Sequence, residues 1–184
     1  MRTIRPNLGA SAMIEIATAA APLVFPMLMI AAALFDVATM TIPNRISLVL
    51  VPAFFVAALL SHMPWGQIGM HVGVGLAGLA LMIGFFAMGW LGGGDAKLLA
   101  AASLWIGPMG AGSFVAFTAL AGGALALVLI LVRAVARPSE QGPDWLRRLL
   151  TPKSAIPYGV AIAAGAIAAF PAAGLSGGAI HLPA

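Results

Sequence analysis

The chain has 184 residues, of which 62% are hydrophobic and 8% charged, against about 25% charged in an ordinary soluble domain. This excludes a water-soluble globule and implies an all-α, polytopic membrane bundle in which residues 1–184 form a single membrane-embedded domain within the lipid bilayer. The net charge of +4 comes from nine scattered Lys and Arg rather than a basic stripe, which argues against a nucleic-acid partner. The absence of cysteine removes disulfides, thiolate nucleophiles and cysteine-held metal centres.

The first residues, MRTIRPN, followed by apolar sequence and the small Ala20 and Ala21, have the outline of a secretory signal peptide. The apolar stretch nevertheless runs on from Pro22 to Phe35, and the chain does not turn soluble afterwards. A first transmembrane helix is therefore expected over 12–36, either kinked or beginning at Pro22, where a proline at the first helical position costs little. Apolar windows punctuated by Gly, Pro and charge place five more helices near 46–61, 68–91, 96–107, 111–133 and 155–173. The third is rich in glycine, and the Gly69 to Gly73 spacing predicts close packing against a neighbouring helix.

Positive residues are retained on the cytoplasmic side of a membrane. With both termini outside, the inner connections hold Arg45, Lys97, Arg133, Arg137, Arg147, Arg148 and Lys153, leaving only Arg2 and Arg5 outside. The outer connections, Ser61 to Gln67 and Gly107 to Gly110, then carry no basic residue. The one long loop, 134–154, is cytoplasmic, and Asp36 and Asp95 fall on that same inner side.

The acidic residues are Glu15, Asp36, Asp95, Glu140 and Asp144, and two of them adjoin long apolar helices at the inner face. An ionised Asp at a bilayer centre costs roughly 2.5–3.5 kcal/mol on insertion scales, less near the interface, which makes such a residue a functional candidate. Asp36 lies toward the end of the first helix, where the macrodipole disfavours an anion by about 0.3–1 kcal/mol. Ile42-Pro43-Asn44 then breaks the helix, because a residue before proline is driven out of the helical region. Asp95 follows Gly92-Gly93-Gly94 and precedes an apolar run, so its structural reading is that of an N-cap. Lys97, two positions on, points to a different helix face and is read as snorkelling to the interface. Two carboxylates on one side of one bundle supply what peptide hydrolysis needs: an ionised group to activate water and a protonated one to hydrogen-bond the carbonyl. Held close together they share a proton.

Gly92-Gly93-Gly94-Asp95 contains the Gly-x-Gly-Asp signature of membrane aspartic proteases. Asp36, six residues before Ile42-Pro43-Asn44, resembles the first catalytic motif of type IV prepilin peptidases, and Ile156-Pro157-Tyr158-Gly159 is similar to a Pro-Tyr-Gly element common in those proteins. The resemblance covers residues from about 12 to 173. It implies an aspartic endopeptidase with Asp36 and Asp95 catalytic and with Gly92, Gly93, Gly94, Lys97, Pro43, Asn44, Pro157, Tyr158 and Gly159 as substrate or structural support. It further implies that the protein removes a short basic leader from prepilin or pseudopilin precursors at the cytoplasmic face of the bacterial inner membrane, with no cofactor or metal. A pilus assembly machine would be an indirect partner. The cysteine-containing domain of the larger, methylating members has no counterpart here, so the nearer match is the compact type serving tight-adherence or Flp-like pili, without N-methyltransferase activity. Glu140 and Asp144 in the inner loop are candidates for attracting the basic leader, though a solvated loop explains both.

Several rivals are weaker. Gly174-Leu175-Ser176-Gly177 matches a rhomboid-type serine pattern, but Ser176 and His181 lie within six residues of each other rather than on facing helices. Presenilin-like proteases share Gly-x-Gly-Asp, yet their partner aspartate follows a tyrosine, whereas Phe35 precedes Asp36. His62 and His71 read as interfacial, and no His-Glu-x-x-His occurs for a zinc protease. The alternative from another class is a small proton- or cation-coupled carrier using Asp36 and Asp95.

Overall fold

The computed structural model describes residues 8–136, 142–151 and 154–175. Arg2, Arg5, Arg137, Glu140, Lys153, Ser176, Gly177 and His181 lie outside the described residues. The described chain is helical throughout, as α1 (Leu8–Ala20), α2 (Val24–Thr39), α3 (Asn44–Leu60), α4 (Trp65–Ala87), α5 (Gly93–Val135), α6 (Asp144–Leu150) and α7 (Tyr158–Ala169). The stretches Glu15–Thr39, Trp65–Ala87 and Gly93–Val135 are long and apolar enough to cross a membrane, and Asn44–Leu60 and Tyr158–Ala173 are shorter apolar helices. Large apolar side chains such as Met27, Leu48, Leu76, Leu120 and Ile130 face outward, as expected where the solvent is lipid.

The first predicted helix is helical on both sides of Pro22. A 3₁₀ turn, Ala21–Leu23, with proline in its first two positions, joins α1 to α2. The backbone stays right-handed helical at Ala20, Leu23 and Val24, so Pro22 tightens one turn of a continuing helix. Pro26 is absorbed in the first turn of α2, where its missing N–H has no helical acceptor to lose.

Between α5's ends the chain reverses. Gly107 adopts φ 64°, ψ −172° within what is otherwise continuous helix. Pro108 follows and disfavours helical backbone before it. Asp95, at the start of the first arm, shares a cavity with Tyr158, and Gly122 in the second arm abuts the Tyr158 ring. Gly110, just past the break, packs on Ala169 at the opposite end of α7. The arms, 93–106 and 108–135, are therefore antiparallel and correspond to the fourth and fifth predicted helices. The expected connection from Gly107 to Gly110 is a one-residue corner instead of a loop. His71 stacks on Phe54 and its Nδ1 lies 2.9 Å from the Leu104 carbonyl, with the ring seated directly under Gly107. It is buried, not interfacial as the sequence implied. His62 is exposed at the α3–α4 turn.

Trp105 gathers the core. It stacks on Phe25 with ring centroids 5.2 Å apart and meets Phe54 edge-on, and its Nε1–H donates to the Leu50 carbonyl at 2.8 Å. That bond crosses to α3 and satisfies the buried indole.

The glycines of α4 depart from expectation. Side chains at Gly69 and Gly73 would meet nothing, whereas at Gly75 and Gly78 they would run into Leu104 and Ser103 of the first α5 arm. The packing seam therefore runs along the face of Ile68, His71, Gly75, Gly78 and Met82, and Gly69 and Gly73 lie off it. The long loop, 134–154, also contains a short helix, α6, that the sequence reading did not place.

Candidate active site

Asp36 sits in the last turn of α2. Met40 then takes a left-handed conformation and its N–H closes on the Asp36 carbonyl at 2.7 Å, ending the helix. Thr39 reinforces the stop: its hydroxyl donates to the Phe35 carbonyl at 2.8 Å and pairs with the Thr41 hydroxyl at 2.8 Å. Pro43, extended at ψ 130°, is the N-cap of α3, which begins at Asn44. The chain thus turns back within four residues of Asp36.

The carboxylate of Asp36 is only 5% exposed. Its Oδ2 accepts the Gly159 N–H at 2.7 Å, an amide in the first turn of α7 with no partner in its own helix. The positive end of α7 therefore faces the anion that the negative end of α2 disfavours. Pro157 caps α7 and is buried. A side chain on Gly159 would begin 2.8 Å from Asp36 Oδ2 and 2.8 Å from Ile42 Cδ1, so only glycine lets the carboxylate reach the helix end.

Asp95 comes from the other side. The N-cap of α5 is Gly92, in extended backbone, and Asp95 is in the first turn with its carboxylate turned back onto the Gly92 backbone. The N-cap reading of Asp95 is thereby replaced by a favourable placement of an acid near a helix start. Its Oδ2 lies 3.2 Å from where a side chain on Gly92 would begin. None of Gly92, Gly93 and Gly94 has positive φ. Their smallness serves approach instead: Gly92 admits the Asp95 carboxylate, Gly94 admits Ile42 at 3.3 Å, and Gly93 rests on Phe86.

The two aspartates line one cavity of about 320 Å³ together with Met40, Trp90, Leu91, Gly92, Ala155, Ile156 and Tyr158, and they are near enough to interact electrostatically. Tyr158 is 40% exposed at this cavity. Lys97 lies on another face of the first α5 arm, where its Nζ donates to Asn44 Oδ1 at 3.0 Å. It links the two motif-bearing segments and forms no carboxylate pair among the described residues.

Ile42 was read only as part of a helix break, yet it is buried between Gly94 and Gly159 and spaces the two acidic segments. Trp90, Met40 and Leu91 carried no sequence signal beyond their position beside the motifs. Arg133 was counted only as a charge. Its guanidinium donates to the carbonyls of Leu149, Ser154 and Ala155 at 2.8, 3.0 and 3.1 Å, fastening the segment that supplies the cavity wall at Ala155 and Ile156. Asp144 pairs with Arg147 at 2.5 Å. Among the described residues no cluster of three or more His, Asp or Glu is arranged to hold a metal.

The model of the type IV leader peptidase family matches residues 23–131, a stretch that carries both aspartates, Pro43, Asn44 and Lys97. The chain belongs to the type IV leader peptidase family. Membership makes it a peptidase, and the helices long enough to span a bilayer fit a multi-pass member of that family. The stretch matched by the leader peptidase family model ends before Pro157, Tyr158 and Gly159, so the third motif is tied to Asp36 by the Gly159 bond rather than by the match. Neither curated proteins nor solved structures gave a significant match.

Proposed function

We propose that this protein is an aspartic endopeptidase that uses Asp36 and Asp95 to remove the short basic leader from prepilin-like precursors, at the cytoplasmic face of the bacterial inner membrane. The observation that carries this reading is the convergence of two acids, from helices 59 positions apart in the chain, on one small cavity. One carboxylate takes the proton of an attacking water, and the other, protonated, donates to the scissile carbonyl oxygen as the tetrahedral intermediate forms. The cavity has room for water and a stretch of extended backbone, and its remaining lining is largely apolar.

The orientation rests on charge. All the described Lys and Arg, namely Arg45, Lys97, Arg133, Arg147 and Arg148, lie on the segments that meet at the aspartate end, and such residues favour the cytoplasmic side. A precursor whose basic leader stays in the cytoplasm presents the bond between leader and apolar helix at that same level. The proposal extends to precursors of the Flp or tight-adherence type, cleaved without methyl transfer and without a cofactor.

The carrier reading is less well supported. A translocation path needs polar groups through the membrane depth. Asp36 and Asp95 share one cavity, Asp144 is paired to Arg147, and Glu15 is exposed on α1, whose Thr18 reaches the Leu60 carbonyl at the far end of α3.

The test is cleavage of a co-expressed Flp-type prepilin in membranes carrying the wild type, Asp36→Asn or Asp95→Asn at matched expression. Each substitution is expected to lower processing by about 10²–10⁴-fold, the usual worth of a positioned acid or base. Undiminished processing by either inserted variant overturns the two-aspartate mechanism.

A further inference from the structure

A second cavity, of about 430 Å³, lies between α3, α4 and the first arm of α5. It is separate from the aspartate cavity and shares no lining residue with it. Its long wall is apolar, formed by residues such as Val51, Phe55, Val72, Leu76 and Leu104. Leu48 at 70% and Leu76 at 61% exposure place its mouth on the outer, lipid-facing surface of the bundle. Polarity is confined to one end, where Asn44, Ser47 and Lys97 line it.

Size decides what fits. A groove of about 430 Å³ accommodates a single flexible hydrocarbon chain. Charge decides the head group. Lys97 has no carboxylate partner among the described residues, and its Nζ is held at the mouth by the neutral Asn44 Oδ1. A cation at the membrane–water boundary above an apolar slot is complementary to an anion carrying an acyl chain.

We propose that this groove binds one anionic phospholipid, with an acyl chain along the groove and the phosphate on Lys97 and Ser47. The assignment does not depend on the proposed cleavage chemistry. It does place the lipid against the outer side of the α5 turn whose inner side bears Asp95.

The test is native mass spectrometry of the purified full chain titrated with phosphatidylglycerol or phosphatidylcholine of identical acyl chains. The wild type is expected to retain one phosphatidylglycerol with about fivefold preference, the worth of one lysine near an anionic lipid surface. Val51→Trp, which fills the groove from its partly exposed rim, should lose the bound lipid. Ser47→Asp, which sets an acid at the mouth, should abolish the preference. Equal retention of both lipids by the wild type, or an unchanged preference in Ser47→Asp, overturns the proposal even if Val51→Trp fails to fold. Since the chain has no cysteine, Val51→Cys can carry a photo-cross-linker in membranes containing a prepilin. Capture of phospholipid supports the assignment, and capture of the prepilin instead overturns it.

Discussion

Asp36 is held by a donor that lies 123 positions away in the chain, and this makes Gly159 the most informative single residue to change. Gly159→Ala would set a methyl 2.8 Å from both Asp36 Oδ2 and Ile42 Cδ1. Under the proposed function, cleavage should fall at least tenfold while the thermal midpoint changes little, because the displaced group is a single carboxylate at the end of the bundle. Wild-type cleavage by this variant would mean that the amide does not position the acid. Gly94→Ala, with its nearest contact at 3.3 Å from Ile42, should cost less. The aspartates were legible in the sequence because a carboxylate is expensive in so apolar a chain. Gly159's amide was not, because a backbone donor has no sequence signature and its acceptor is a distant residue. Ile42 was hidden for a related reason, since its role comes from the space left by two glycines on other helices.

At the scale of an element, Gly107 closes the α5 hairpin without a loop. Gly107→Ala combines a left-handed φ with a β-carbon driven into the His71 ring. Forcing a non-glycine residue there costs about 1–3 kcal/mol before the clash is counted, so reduced thermal stability and poor membrane yield are expected. His71→Ala in the same background should recover part of the loss, which a thermal-shift assay in detergent would measure. Arg133→Ala removes one donor from the end of α6 and two from the segment between α6 and α7. Limited proteolysis of the purified protein should then cut faster near Ser154. Among the described residues, hydropathy pointed to the apolar helices, since each is a run of apolar residues closed by Gly, Pro or charge. It could not tell which α4 glycines pack, because Gly69, Gly73, Gly75 and Gly78 differ only in which face of the helix meets α5. Nor did it find α6, whose seven residues include Asp144, Arg147 and Arg148 and lack an apolar run.

For the whole molecule, the described cations and the paired aspartates collect at one end, and the corners at Ser61 and Gly107 form the other. In a chain without cysteine, single substitutions report orientation directly. Ser61→Cys should be labelled by an impermeant maleimide from outside intact cells, and Arg148→Cys only after lysis, and the reverse pattern would place the aspartates at the outer face. The α5 hairpin carries one more consequence. Its first arm, about 14 residues, is only roughly 21 Å long, while a hydrocarbon core is about 30 Å thick. Ala100 to Gly107 of that arm are all buried, so neighbouring helices and not lipid make up the shortfall. The depth of Asp95 is then set by protein packing, so activity should change little as the acyl chains of the surrounding membrane lengthen.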